Sequence, residues 1–195
     1  MTISNVSNTN TGLFSVQPAI DNDGDLTFTP TPNNFGTSVV TFTAVDNGGT
    51  DDEGVDRIVG GSFTITVTSV NDEPTATLDT SNAGLTVLED ADPIAQTING
   101  FATNLDDQGG ALETGQTLSF ALAHQSGTGT NLFSVQPVLT VVGTNATLTW
   151  TPADDANTSD TDGPSVFRVT LNDNGVIDNG GANSRILTSN LQFVV

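Results

Sequence analysis

Apolar and hydroxylated residues alternate along much of the chain. Leu26-Thr27-Phe28-Thr29, Val40-Thr41-Phe42-Thr43-Ala44, Phe63-Thr64-Ile65-Thr66-Val67-Thr68 and Phe167-Arg168-Val169-Thr170-Leu171 each carry an apolar side chain at every second position. A period of two sends those side chains to one face of an extended backbone, so each run predicts a strand with one buried and one wet face. Threonine suits the outer face because its β-branched side chain favours extended backbone. Gly, Asn, Asp and Pro fall between the runs and mark turns. No segment carries a helical period. Many short strands spaced in this way predict an all-β chain of stacked antiparallel β-sandwiches.

The pattern occurs twice. Leu13–Pro18 and Leu132–Pro137 both read LFSVQP. Leu26-Thr27-Phe28-Thr29-Pro30 matches Leu148-Thr149-Trp150-Thr151-Pro152, TAVDNG from Thr43 matches TLNDNG from Thr170, and Arg57-Ile58 matches Arg185-Ile186. The matches keep their order while their spacing widens, as expected when the second copy has longer loops. Residues from about Thr75 to Ser119 have no counterpart in the first copy. The chain is therefore expected to hold a partial unit over 1–74, lacking its N-terminal strands, and a complete unit over 75–195. The boundary falls at Ser69–Pro74 (SVNDEP), where strand period stops and Pro74 cannot donate to a ladder. A sandwich without its front strands leaves a strand edge and part of a core open. The first copy is expected either to be completed by another chain or to be less stable than the second.

Composition narrows the chemistry. Of 195 residues, 35% are hydrophobic, enough for thin two-layer cores. Three Lys+Arg stand against 23 Asp+Glu, a net charge of −20, and no residue is Lys. A Lys Schiff base and a Lys–Asn isopeptide crosslink are thereby excluded. Nucleic acid is not an expected partner, because phosphate recognition needs a basic footprint. Cys is absent, so disulfides contribute nothing. No apolar run reaches membrane-spanning length, so no membrane insertion is expected. MTISNVSNTN lacks the basic start and apolar stretch of a secretory leader. Self-repulsion of the negative charge calls for high salt, divalent cations or dispersal over a long surface. Carboxylates and amide carbonyls are the ligand types of calcium.

Individual segments read mostly as structure. Asp21-Asn22-Asp23-Gly24-Asp25 lacks the length and closing Glu of an EF-hand, and Asp23-Gly24 between two strand patterns signals a hairpin turn. DNGGTDDEGVD, from Asp46 to Asp56, reads as a solvated loop that offers Asp46, Asp51, Asp52 and Asp56 to a cation. Arg57 and Arg185 are expected to pair with nearby carboxylates. His124, the single His, reads as a polar strand-end residue, and Trp150 as core. No Ser-His-Asp or metal-hydrolase spacing is evident, and nothing separates a catalytic carboxylate pair from an acidic surface. An enzyme is not expected.

Taken together, FSVQPAI, DGDLTFTPTPNNFGTSVVTFTAVDNGGT, GGSFTITVTSVNDEP, and TVLEDADPIAQTINGFATNLDDQGG followed by LETGQTLSF resemble the cadherin-like, immunoglobulin-like tandem repeats of very large bacterial surface proteins. The resemblance covers nearly the whole chain. It implies a secreted, cell-surface stalk or adhesion module, whose partners are neighbouring repeats of the same protein and a surface glycan or protein. It also implies calcium held between successive domains. Asn71 and Asp72 would be the linker ligands, Asn104, Asp106 and Asp107 those of an early loop, and Asp173 that of a late loop. Two departures weaken the match: NLDDQGG replaces an alternating Asp-x-Asp, and Asn33-Asn34 stand where an acidic turn is usual. Glu89 resembles a first-strand ligand at the far end of its domain. Against the calcium reading, Asn71-Asp72 also fits an Asx turn among solvated carboxylates. The alternative function is a carbohydrate- or protein-binding β-sandwich module. Aromatic residues at 6% and the absence of Tyr leave few stacking platforms for it.

Overall fold

The computed structural model of the chain describes residues 2–45, 48–49, 51–54, 57–79, 81, 85–88, 94–109, 113, 115–158 and 163–195, without the side chains of 52, 57–60 and 130. The chain is all-β, and its sheets are antiparallel. Among the described residues the helical pieces are single 3-10 turns, and no helix is long and apolar enough to cross a membrane. Backbone contacts divide the chain into unit 1, Met1–Val70, and unit 2, Asn71–Val195.

Unit 1 contains β1 (Thr2–Asn8), β2 (Phe14–Ile20), β3 (Leu26–Pro30), β4 (Gly36–Val45) and β5 (Arg57–Val67). They form a three-stranded sheet ordered β1-β4-β5 and a two-stranded sheet β2-β3. Unit 2 contains β6 (Thr75–Leu78), β7 (Gln96–Asp106), β8 (Ser119–Ser126), β9 (Phe133–Val142), β10 (Asn145–Pro152), β11 (Ser165–Asn172) and β12 (Ser184–Phe193). Its sheets are ordered β6-β7-β10-β9 and β12-β11-β8. The sequence matches carry β1–β5 onto β8–β12, and the pairings follow: β1-β4-β5 corresponds to β8-β11-β12, and β2-β3 to β9-β10. The strands without counterpart are β6 and β7.

The doubled LFSVQP makes the same local structure twice. Leu13 and Leu132 each end a 3-10 turn, and Phe14 and Phe133 each begin a strand. All four are buried. Ser15 Oγ donates to Pro30 O at 3.2 Å and Ser134 Oγ to Pro152 O at 2.8 Å. Thr31 N donates to Leu13 O and Ala153 N to Leu132 O, each at 3.0 Å.

The alternation seen in sequence is expressed most fully in β11. Ser165, Phe167, Val169 and Leu171 are buried, and the residues between them are half-buried. Side chains from β7, β9, β10, β11 and β12 share one core in unit 2, with Phe101, Leu148, Val169 and Leu191 among its members. Phe133, Trp150 and Phe167 all pack edge-on around Phe193, with ring centroids 5.1–5.6 Å from it. This is the preferred arrangement of aromatic quadrupoles. Trp150 is core, as its position in the alternating pattern implies. The core of unit 1 is smaller: Leu13, Phe14, Val40 and Ile65, flanked by Val6, Phe63 and Val67.

Candidate functional site

Strand register gathers four chain segments at one end of unit 2. Thr75, the first residue of β6, pairs with Asp106, the last of β7. Ser119, the first of β8, pairs with Asn172, the last of β11. The residues just before β6 and just after β7 thus lie side by side in one sheet, those just before β8 and just after β11 in the other, and hydrogen bonds of Asn71 join the two pairs. These are Asn71 and Asp72, Glu113 and Gln116, Asp107, and Asp173.

Asn71 is the hub. Its side chain is buried, and Nδ2 donates to Ala182 O at 2.7 Å and to Asp173 Oδ1 at 3.1 Å. Its Oδ1 accepts from Gln116 Nε2 at 2.7 Å, and its backbone O accepts from Ala182 N at 3.0 Å. Glycine makes room for it: a Cβ on Gly175 or Gly181 would run into Asn71. Asp173 is 7% exposed. Its Oδ1 also accepts from Gly175 N at 2.8 Å, closing a tight turn after β11. Its Oδ2 is buried and has no hydrogen-bond partner among the described residues, and the same holds for Gln116 Oε1.

The electrostatics are one-sided. The Glu113 carboxyl is held above the usual glutamate range, first by burial and then by the Asp72, Asp107 and Asp173 carboxylates. A hydrogen bond from the Asp72 backbone N–H opposes the rise. Gln116 Nε2 also donates to Glu113 Oε2 at 3.1 Å. The nearest ion pair in unit 2 does little to relieve the cluster. Arg185 Nη1 lies 3.6 Å from Glu73 Oε2, and both side chains are about half exposed. Such a pair contributes about 0–1 kcal/mol. Arg185 thus pairs with Glu73, ahead of β6, rather than with the Asp173 and Asp178 carboxylates of the loop that precedes it, while the side chain of Arg57 lies outside the described residues.

Of the six residues singled out from sequence, Asn71 and Asp173 bond directly, and the charges of Asp72 and Asp107 bear, with that of Asp173, on Glu113. Asn104 and Asp106 sit differently. Asn104 is exposed with φ 54°, and Asp106 is exposed with Oδ1 accepting from Gln108 N at 2.7 Å, an Asx turn. No described contact joins either to the cluster. Glu113 and Gln116 escaped the sequence reading. They lie in LETGQ, a stretch with no strand period and no match in the first copy, so only their proximity marks them.

Other sequence candidates resolve simply. Asp21 Oδ1 accepts from Asp23 N and Asp25 N at 3.0 and 2.8 Å, with Gly24 at φ +94°, which makes Asp21–Asp25 a turn between β2 and β3. His124 is exposed on β8 and packs edge-on against Phe167, with centroids 5.4 Å apart. Glu89, Asp46 and Asp56 lie outside the described residues.

The donor set at the cluster is entirely oxygen: carboxylates of Asp72, Asp107, Glu113 and Asp173, and the amide oxygen of Gln116. Oxygen-only sets suit hard cations such as calcium and offer nothing to zinc or copper. Two buried oxygens without donors fit such an ion. Among the described residues, no three acidic or His side chains stand at metal-holding spacing. Filling the site would therefore draw carboxylates inward. No family model, curated protein or solved structure matches the chain.

Proposed function

We propose that the chain is an extracellular structural and adhesion module built from two β-sandwich repeats of cadherin-like type, the first lacking its front strands, and that calcium rigidifies the start of unit 2. The observation that carries the calcium reading is the buried Oδ2 of Asp173, which has no hydrogen-bond partner among the described residues, together with the Asp72, Asp107 and Asp173 charges that bear on Glu113. A carboxylate oxygen taken from water without a compensating partner is costly. A divalent cation supplies that partner and offsets the mutual repulsion of the four acids. Asp72, Asp107, Glu113 and Asp173 would hold the ion, with Gln116 Oε1 as a neutral ligand. Asn71 positions Asp173 rather than binding the ion itself, since both ends of its amide are already engaged.

The structural role rests on the doubled β unit and on charge. A net charge of −20 makes the chain self-repelling and opposes its aggregation. Secretion follows from the resemblance and from the calcium requirement, since millimolar calcium is an extracellular condition for weak sites.

Calcium titration with thermal melting tests the metal. Trp150 is the single Trp and lies in the core of unit 2, so its fluorescence reports that unit alone. A ligand bound only by the folded state must stabilise it, by about 2.7 kcal/mol at a hundredfold excess over Kd. The Trp150 transition is expected to move up in millimolar calcium and return with chelator, and Asp173→Asn is expected to abolish the shift. An unmoved transition would sink the reading.

A further inference from the structure

β2 and β9 begin alike and end differently. Both open with Phe-Ser-Val-Gln-Pro, and β9 closes the sheet ordered β6-β7-β10-β9. It pairs with β10 and, among the described residues, with no strand on its other side. β9 lies between β8 and β10 in the chain, so the order of the sheet itself sets this edge. After the shared Pro the two strands part. β2 stops at Ile20 and runs into the acidic turn Asp21–Asp25. β9 continues through Val138-Leu139-Thr140-Val141-Val142. Continuing the LFSVQP match, Asp21 and Asp23 of unit 1 stand where unit 2 has Thr140 and Val142.

Charge, proline and bulges on an edge strand keep sheets from pairing edge to edge. In β9 these devices stop halfway. Pro137 lies in its first half, and its register with β10 shifts on either side of Val135. From Val138 onward there is no proline, no charge and no register shift. The surroundings are neutral too: between Glu113 and Asp154 the chain has no Asp, Glu, Lys or Arg, against a net charge of −20 overall. A second copy of so acidic a chain is repelled from most of its surface, but not from here. The other edges of unit 2 suit a second copy less. β6 is a short strand between Glu73 and Asp79, β12 carries Arg185 and an irregular register, and β8 exposes no large apolar side chain.

We infer that the second half of β9 pairs antiparallel with β9 of a second copy, about a two-fold axis through Thr140. The strand is complementary to itself about that point. Val138 falls opposite the partner's Val142, Leu139 opposite the partner's Val141, and Thr140 opposite the partner's Thr140. Opposed β-branched and Thr–Thr pairs are favourable across strands. Val138 is 49% exposed and Val142 61%, so their pairing covers apolar surface that is wet in the single copy. Leu139 is buried and Val141 packs against the unit 2 core, so their pairing carries that core across the joint. A strand that pairs with itself closes after two copies. In unit 1 the same pairing would set Asp21 against the partner's Asp21, and like charges directly opposite are destabilising. The inference is independent of the calcium reading, since no residue of the acidic cluster lies on β9.

Sedimentation of the full chain in chelator tests it. A monomer–dimer equilibrium is expected, and it tightens with salt, which screens the remaining repulsion. Thr140→Asp combined with Val142→Asp copies the acids of unit 1 onto this edge. That variant is expected to dissociate at least about tenfold more readily, with the cooperative Trp150 transition retained because both sites are exposed. A thiol trap gives a second readout, since the chain has no Cys. Thr140→Cys places two thiols opposite each other on the axis, within disulfide reach, and is expected to crosslink pairs on mild oxidation. Val135→Cys, far from the axis, is expected to crosslink much more slowly. Three outcomes overturn the proposal: a monomer at millimolar concentration and high salt, association that the double Asp variant retains, or a Thr140→Cys chain that crosslinks no faster than Val135→Cys.

Discussion

β3 and β10 are nearly the same strand in two settings. One reads LTFTP and the other LTWTP, and each follows a strand that opens with Phe-Ser-Val-Gln-Pro. Every residue of β3 is exposed, while Ala146, Leu148 and Trp150 of β10 are buried. The side-chain pattern is therefore not what buries a strand. Alternation decides which residues share a face, and the elements packed around that face decide whether it is dry. β10 has β7 beside it in its own sheet, and Phe101, Ala102 and Leu105 of β7 join the core that holds Leu148 and Trp150.

The sharpest way to break the comparison is to truncate the matched aromatics. Trp150→Ala removes the largest fully buried side chain and is expected to cost about 3–5 kcal/mol, read as a lowered midpoint in urea. Phe28→Ala removes a ring that is already partly wet and keeps one edge contact, to Phe14 at 5.6 Å. It is expected to cost only about 1 kcal/mol. Equal losses would mean that β3 is covered in solution. Next in size is a matched pair of glycines. Gly175→Ala pushes a methyl group into Asn71 and is expected to cost about 1–3 kcal/mol, together with the bonds to Ala182 and Asp173. Gly48, its counterpart by sequence, is exposed, and Gly48→Ala should change stability by no more than about 0.5 kcal/mol.

The smallest effect concerns acidity and belongs to unit 2 alone. The folded-state Glu113 carboxyl lies above its ordinary value of 4.5, so the folded state holds that proton more tightly than the unfolded chain does. The resulting stabilisation is full below about 4.5 and is lost as pH rises through the higher, folded value. Without calcium, Glu113→Gln is expected to make the Trp150 transition slightly more stable at neutral pH and to flatten its pH dependence above 4.5. With calcium present the sign is expected to reverse, because the variant loses a ligand. A melt series from pH 4 to 8, with and without chelator, separates the two.

The strands were legible because alternation is local. Phe167 to Leu171 announces both the strand and its inward face, and β11 buries the residues so marked. The site was legible in part. All six candidates, Asn71, Asp72, Asn104, Asp106, Asp107 and Asp173, are singled out by resemblance alone. In the fold the left-handed Asn104 and the Asx turn at Asp106 leave both exposed and without described contacts to the cluster. Glu113 and Gln116 could not be found at all, since a loop has no period to read.

Sequence alone determined the strand character of the chain, its acidity, and the order in which matching segments recur, because each depends on neighbours a few residues away. Tertiary structure decided which polar side chains meet. Asn71 and Asp173 are 102 residues apart and bond at 3.1 Å where the segment before β6 lies against the β11–β12 loop, held there by the hydrogen bonds between Asn71 and Ala182. It also decided that Leu148 is dry and Leu26 wet. Burial belongs to the packing of one element against another, and closely similar strands differ in burial when their neighbours differ.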